Sequence, residues 1–356
     1  MQNQKIKLGI IGCGVVTTNK RWHIGSVRGI NDPDAELLAL ADKIPGLAEE
    51  TAKSFSVPLF YDDYHKMLEN PEINAVSVCT RTIVHKQIAM DALKAGKHVF
   101  IEKPITNNYE ELQELVECAL ANKRIMVAGS NGLHLPQMKY IKDIIDSGAM
   151  GEVYFANVDR VVGRSQNANL SPPPKARNGV STWNASHSVE WVLYFLGNPK
   201  TVSVSAKGFG MIDNISRPFE KRDEDDSGCI VQIIFENGAI FQFRGIVNAP
   251  VRNVYALRLI GDKMSIEYDV NKCYSNSEDS NKCITIFRHS NLMGMEESRP
   301  VVKCEGGWHG PIYRYFFNCI RENLLDVSRC ERGLETMRIL DAMGESMEKG
   351  GRQIHL

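Results

Sequence analysis

Residues 5–17 read KIKLGIIGCGVVT. Lys5 to Ile11 is an apolar-rich run of the right length for one buried strand, and Gly12-x-Gly14 follows at once, ahead of a segment with helical character. A glycine pair at a strand-to-helix turn has a specific use. The first glycine permits the tight turn and the second lets a pyrophosphate approach the backbone, while the helix start offers N–H donors and a positive dipole end. Gly12, Gly14 and Val15, which opens the helix, are therefore candidate dinucleotide-binding residues. Thr17 stands at the third glycine position of the usual fingerprint, and its branched side chain predicts looser packing of this helix on the sheet. The next apolar run, Ala35 to Ala41, ends at Asp42. A carboxylate there accepts hydrogen bonds from both adenosine ribose hydroxyls and repels a 2′-phosphate, which favours NAD over NADP. Lys43 beside it could pair with such a phosphate, so NADP stays open.

Outward from this stretch the pattern repeats. Helical runs at Leu47–Phe55, Tyr64–Leu68, Val84–Ala95 and Tyr109–Asn122 alternate with strand-like runs at Ala75–Cys79, His98–Ile101 and Ile125–Ala128. Such alternation with short connections specifies a doubly wound parallel sheet covered on both faces. After about Gly151 the pattern changes to strands in succession: Glu152–Val162, Thr201–Lys207, Ile230–Phe235, Ala239–Val247, Tyr255–Ile260 and Ile284–Arg288. Asn237-Gly238 is a hairpin signal between two of them. The remaining helices are expected near Pro136–Ser147, near His187–Leu196 and at the C-terminus. The reading is an α/β N-terminal Rossmann domain over residues 1–128. An α+β C-terminal domain with a large, mostly antiparallel open sheet follows over residues 129–356.

Composition narrows the function classes. The 42 Lys and Arg residues balance 43 Asp and Glu, so no electrostatic case exists for nucleic acid or an anionic membrane as partner. No apolar run approaches the roughly 18 residues that span a bilayer, and the N-terminus lacks a secretory pattern. Nine scattered cysteines without a Cys-x-x-Cys pair predict reduced thiols, a cytoplasmic location and no metal site.

GKHVFIEKP, Gly96 to Pro104, resembles the Glu-Lys-Pro signature of the Gfo/Idh/MocA oxidoreductases. Cys79 to His85 (CTRTIVH) resembles that family's Cys-Thr-Pro-Asn-x-x-His segment, with Arg81 and Thr82 in place of Pro and Asn. Ser147 to Val153 resembles the step into its second domain, and Gly179 to Glu190 the stretch holding its catalytic histidine. The resemblance implies NAD(P)-dependent transfer of hydride at a secondary alcohol or ketone carbon of a sugar, cyclitol or sugar derivative. It also implies a homodimer or homotetramer formed through the C-terminal sheet, and a cis Lys103-Pro104 bond. It places Thr80, His85, Glu102 and Lys103 on the cofactor side.

Oxidising an alcohol requires a hydride acceptor and a base, so the protein must orient the carbon and handle a proton. By the family pattern Lys103 and His187 are the catalytic candidates. Four residues before His187, where the family carries Asp, this chain has Trp183, with Ala185 in place of a glycine; Trp183 can stack on a sugar ring but cannot orient the imidazole as a carboxylate does. Lys175 and Arg177, beside three prolines, and Trp308 and His309, among glycines, are candidate substrate-binding residues. Two further functions fit the departures: an NAD-using glycosidase that acts through transient oxidation and elimination, and a non-catalytic dinucleotide-binding regulator.

Overall fold

The structure is a computed structural model that describes residues 5–18, 22–128, 130–163, 179–209, 228–249, 251–273, 275, 278–290, 294–303 and 309–356. In chain order the first elements are β1 (Ile6–Ile11), α1 (Val15–Thr18), α2 (His23–Gly29), β2 (Ala35–Ala41), α3 (Leu47–Ser54), β3 (Leu59–Tyr61), α4 (Tyr64–Glu69), β4 (Ala75–Val78), α5 (His85–Lys94), β5 (His98–Ile101), α6 (Tyr109–Ala121) and β6 (Met126–Ala128). There follow α7 (Pro136–Asp146), β7 (Val153–Gly163), α8 (Gly179–Phe195), β8 (Thr201–Phe209), β9 (Gly228–Phe235), β10 (Ile240–Ala249), β11 (Val254–Gly261), β12 (Met264–Asp269), α9 (Val270–Cys273), β13 (Ile284–Ser290), β14 (Gly294–Ser298), α10 (Gly310–Glu322), α11 (Val327–Glu348) and β15 (Ile354–His355).

The chain divides into two compact units, Met1–His134 with Glu305–Leu334, and Leu135–Cys304 with Glu335–Leu356. The sequence pattern suggests a single boundary near residue 128; the return of residues 305–334 to the first unit is not visible in it. Its reason is apolar. One face of the first sheet presents Leu8, Ile10 and Phe100, and α10 covers it with Ile312, Tyr313, Phe316 and Phe317, all fully buried. On the other face Val76, Val78, Val99 and Ile101 pack against Ile88 and Leu93 of α5 and Leu115 of α6.

The sheet of the first unit has the order β3-β2-β1-β4-β5-β6 and is parallel throughout. Burial on both faces explains the nearly continuous apolar runs of its strands. The order reverses between β1 and β4, so the carboxyl ends of these two strands frame the crevice in which doubly wound sheets bind ligands. Among the described residues the sheet of the second unit has nine strands, ordered β14-β13-β12-β11-β7-β10-β9-β8-β15, and of these only the β7–β10 pair is parallel. The hairpin at Asn237-Gly238 joins β9 to β10 in antiparallel register, with Gly238 at φ +82°. One face of this sheet carries Val158, Phe243, Val231 and Leu257, all buried. The opposite face carries Arg244, paired with Asp159, and Arg258, paired with Glu267, beside exposed Ile230 and Val254.

Candidate active site

The glycine turn is built as its sequence requires. Gly12 adopts φ +102°, and a Cβ there would lie 2.6 Å from the carbonyl oxygen of Cys79. Gly14 faces open space, with nothing within 4 Å of an added Cβ. Thr17 is fully buried, and its hydroxyl donates to the Gly12 carbonyl at 2.5 Å. The residue expected to loosen the helix thus ties its first turn to the glycine turn. Asp42 secures the same turn from the next strand: Oδ2 accepts from Cys13 N–H at 2.8 Å and Oδ1 from Ile44 N–H at 2.9 Å. We expect Asp42→Ala to weaken NAD binding more than NADP binding by calorimetry, and to loosen the turn as well, because the carboxylate serves both.

His85 is buried at the start of α5. Its Nδ1 lies 3.0 Å from the Pro104 carbonyl and 3.2 Å from that of Ile105, while Nε2 lies 3.0 Å from the Thr80 carbonyl. The ring lies between the loop after β4 and the loop after β5, and as a neutral imidazole it donates to one of them through its single N–H. Burial pushes its pKa down, against the carbonyls of Thr80 and Pro104, which push it up. Lys103-Pro104 is cis, and Lys103 is half-buried. The Thr80 hydroxyl is buried and without a hydrogen-bond partner. Arg81 is exposed beside it.

Beneath Lys103 lies a group the sequence did not reveal. Glu102, 6% exposed, points Oε2 at the Lys103 backbone N–H (2.9 Å) and Oε1 at two imidazoles. Nε2 of His309 meets Oε1 at 2.9 Å and Nε2 of His23 approaches it to 3.1 Å. His23 Nδ1 bonds the Tyr313 hydroxyl at 2.8 Å, which in turn meets Ser77 Oγ at 2.8 Å. Burial pushes the Glu102 carboxyl up, but the hydrogen-bonding contacts of His23 and His309 outweigh it and hold the group well below its ordinary value. Burial holds His23 neutral, helped by the neighbouring His309. His309, a candidate substrate-pocket residue from sequence, is thus buried against a carboxylate. Glu102, a candidate cofactor residue, has both oxygens engaged within the protein. Among the described residues His23, Glu102 and His309 are also the one group spaced to hold a metal ion.

Buried imidazoles recur in this unit. His23, His85, His98 and His134 all have lowered pKa values, with burial as the largest cause. His98 falls from 6.5 to about 4, and its Nδ1 accepts from Ile125 N–H at 3.0 Å. A histidine kept neutral by the fold takes up its proton more readily when unfolded. For His98 this stability is complete above pH 6.5 and is lost as pH falls toward 4. Thermal melts at fixed ionic strength should show the melting temperature declining across that window. His98→Asn, which keeps an acceptor but not a titrating ring, should decline less steeply.

In the second unit His187 lies on α8, half-buried, with its ring 6.1 Å from Trp191 one turn on. Trp191 stacks on Tyr255 at 5.3 Å, and the Arg160 guanidinium lies 4.5 Å from the same tyrosine ring. Ala185 and Glu190 are buried on this helix. Trp183 belongs to α8, but its side chain lies outside the described residues, as do Lys175, Arg177 and Trp308.

The first unit contains features that fit a dinucleotide: a glycine turn open at Gly14, a buried orphan hydroxyl on Thr80, and a concentration of exposed apolar side chains. These are Val15 (69% exposed), Val16, Ile44, Ile83 (68%) and Val84, all in segments that leave the carboxyl ends of β1, β2 and β4. Exposed apolar groups gathered at one sheet edge mark a surface for planar rings.

Fold and site together define a Rossmann-type NAD-dependent oxidoreductase. The chain belongs to the Gfo/Idh/MocA family: the NAD-binding Rossmann fold of that oxidoreductase family matches residues 6–130 and its C-terminal alpha/beta domain residues 142–356. It is similar to a myo-inositol 2-dehydrogenase of Thermotoga maritima, 25% identical over 320 residues that span 88% of this chain and 82% of that one. It is 27% identical over 238 residues to a scyllo-inositol 2-dehydrogenase (NAD(+)) of Bacillus subtilis, with 66% of each chain covered. Its fold matches that of a levoglucosan dehydrogenase solved with NADH and levoglucosan, with a TM-score of 0.83 at 21% identity over 98% of this chain and 99% of that one. Among the described residues no helix is long and apolar enough to cross a membrane.

Proposed function

We propose that the chain oxidises a secondary alcohol carbon of a cyclitol, sugar or sugar derivative with NAD, or reduces the matching ketone. The observation that carries this is the edge formed after β1, β4 and β5, where the open glycine turn, the orphan Thr80 hydroxyl and Lys103 follow successive neighbouring strands. The names of the relatives support the substrate class. Gly12, Gly14 and Val15 hold the pyrophosphate, Asp42 the adenosine ribose, and Thr80 and Lys103 the nicotinamide end; His85 and Glu102 fix the loops that carry them. When bound, nicotinamide supplies the hydride acceptor or donor. Lys103 hydrogen-bonds the reacting oxygen, stabilises its developing negative charge and moves its proton. His187 binds the substrate hydroxyl or serves as base. Trp183, Lys175, Arg177 and Trp308 contact the substrate.

Purified protein supplied with NAD and a panel of inositols, anhydro-sugars and uronates should produce reduced nicotinamide with at least one class. His187→Ala should lower that rate about 100-fold or more, in the range typical of a lost proton-transfer group. Bound NAD with no net reduction on any substrate would overturn the reading. The protein is further read as a cytoplasmic homodimer or homotetramer. Free thiols at every described cysteine and the open face bearing Ile230, Val254, Arg244 and Arg258 support this, and light scattering of an Ile230→Glu variant tests the interface.

A further inference from the structure

We infer that His309 and His23 are positioning residues for Lys103, acting through Glu102. The inference rests on the reading of Lys103 as the proton-handling group. Its geometry is a chain of contacts within the first unit. His309 Nε2 and His23 Nε2 converge on Oε1 of Glu102, and the other oxygen of that carboxylate holds the Lys103 backbone N–H. The backbone of Glu102 is itself fixed, since its N–H donates to the Val78 carbonyl at 3.0 Å. Each member is buried: His23 fully, His309 to 5% and Glu102 to 6% exposure.

The tautomers follow from the partners. Tyr313 has one proton to give and two neighbours, Ser77 Oγ and His23 Nδ1. If Ser77 donates to Tyr313 and Tyr313 donates to His23 Nδ1, the remaining proton of neutral His23 sits on Nε2, facing Glu102. This is the single orientation in which no lone pair of His23 faces the carboxylate. The relay from Ser77 on β4 and Tyr313 on α10 thus sets which end of the His23 ring is protonated. His309 is held from its other side, with its backbone N–H donating to Ser26 Oγ at 3.2 Å. A carboxylate with fewer donors would turn or take a proton, and Lys103 would lose a fixed backbone contact at the residue that must meet the reacting oxygen.

Three variants of the full chain test this: His309→Phe, which keeps volume but no donor, His309→Gln, which restores a donor, and Glu102→Gln. In His309→Phe we expect kcat to fall about 10- to 100-fold, the loss typical of one hydrogen bond to a charged group, with KM for NAD unchanged. His309→Gln should recover most of the rate. The amide proton of Lys103, read by NMR without any substrate, should move upfield in His309→Phe and Glu102→Gln. A role in packing alone predicts the reverse order, with Phe tolerated better than Gln, and would overturn the inference. An unshifted Lys103 amide in both His309→Phe and Glu102→Gln would overturn it as well. So would a stoichiometric transition metal in the purified protein that is lost in His309→Phe, since the imidazoles would then be ligands. Failure of every substrate would sink the proposed reaction but leave the amide measurement to decide the positioning role on its own.

Discussion

Lys103→Ala should lower kcat by about 10²- to 10⁴-fold, the span observed for positioned proton-transfer groups, while NAD affinity falls far less than the rate. The separation is expected because the loop does not depend on the lysine side chain for its shape. Glu102 holds the backbone N–H of residue 103, and His85 lies among the carbonyls of Thr80, Pro104 and Ile105. Truncation at Cβ therefore removes a chemical group and leaves its support standing. Lys103→Arg separates two roles. Arginine keeps the charge but does not release a proton in proteins, so a purely electrostatic lysine would be partly replaced and a proton-moving one would not. Steady-state rates at saturating NAD, beside NAD titrations of each variant, read the difference. Full turnover by Lys103→Ala would show that the reacting oxygen is served from elsewhere.

Gly12→Val should abolish NAD binding and destabilise the first unit, and Gly14→Ala should do only the first. At Gly12 the backbone lies at φ +102°, where a non-glycine residue costs about 1–3 kcal/mol. A Cβ would also fall 2.6 Å from the Cys79 carbonyl oxygen and 2.9 Å from its carbon. That carbonyl cannot yield easily, because Cys79 N–H donates to Ile11 at 2.8 Å and fixes the end of β4 to β1. At Gly14 an added methyl meets nothing within 4 Å, so the fold should tolerate it. What it occupies is the approach the pyrophosphate needs. Thermal melts beside calorimetric NAD titrations distinguish the two: a Gly12 variant with normal melting and normal binding would contradict the account of the turn.

The parallel sheet was legible because its strands are buried on both faces and bounded by glycine, proline and asparagine. Ala35–Ala41 and His98–Ile101 coincide with β2 and β5. Leu59–Tyr61, only three residues at the sheet edge, carries too little periodicity to read, and Met264–Asp269 hides because it follows β11 after a two-residue turn. The glycine turn and the Glu-Lys-Pro segment were legible because each is local. The cluster under Lys103 was not, for the opposite reason. Glu102 and His309 lie 207 residues apart, and His23 and Tyr313 290 apart; no short spacing links them. The available signal was weaker: a histidine soon after the glycine turn and another between glycines. A buried carboxylate in the most recognisable segment of the chain also demands donors from somewhere.

The discontinuity of the first unit bears on how such chains can be recombined. Residues 135–304 form an insert whose flanks, up to His134 and from Glu305 to Leu334, share one interior. A single crossover after His134 would replace Tyr313, Phe316 and Phe317 with a stranger's aromatic wall, against a sheet face selected for this one. A graft that exchanges residues 135–304 together with 335–356, whose β15 pairs with β8 and whose Ser346 accepts from Ala206 N–H, keeps that interior native and the second unit whole. New specificities can therefore be tried on this scaffold by swapping its middle and its C-terminal segment together, with the nucleotide half retained as two separated pieces of chain.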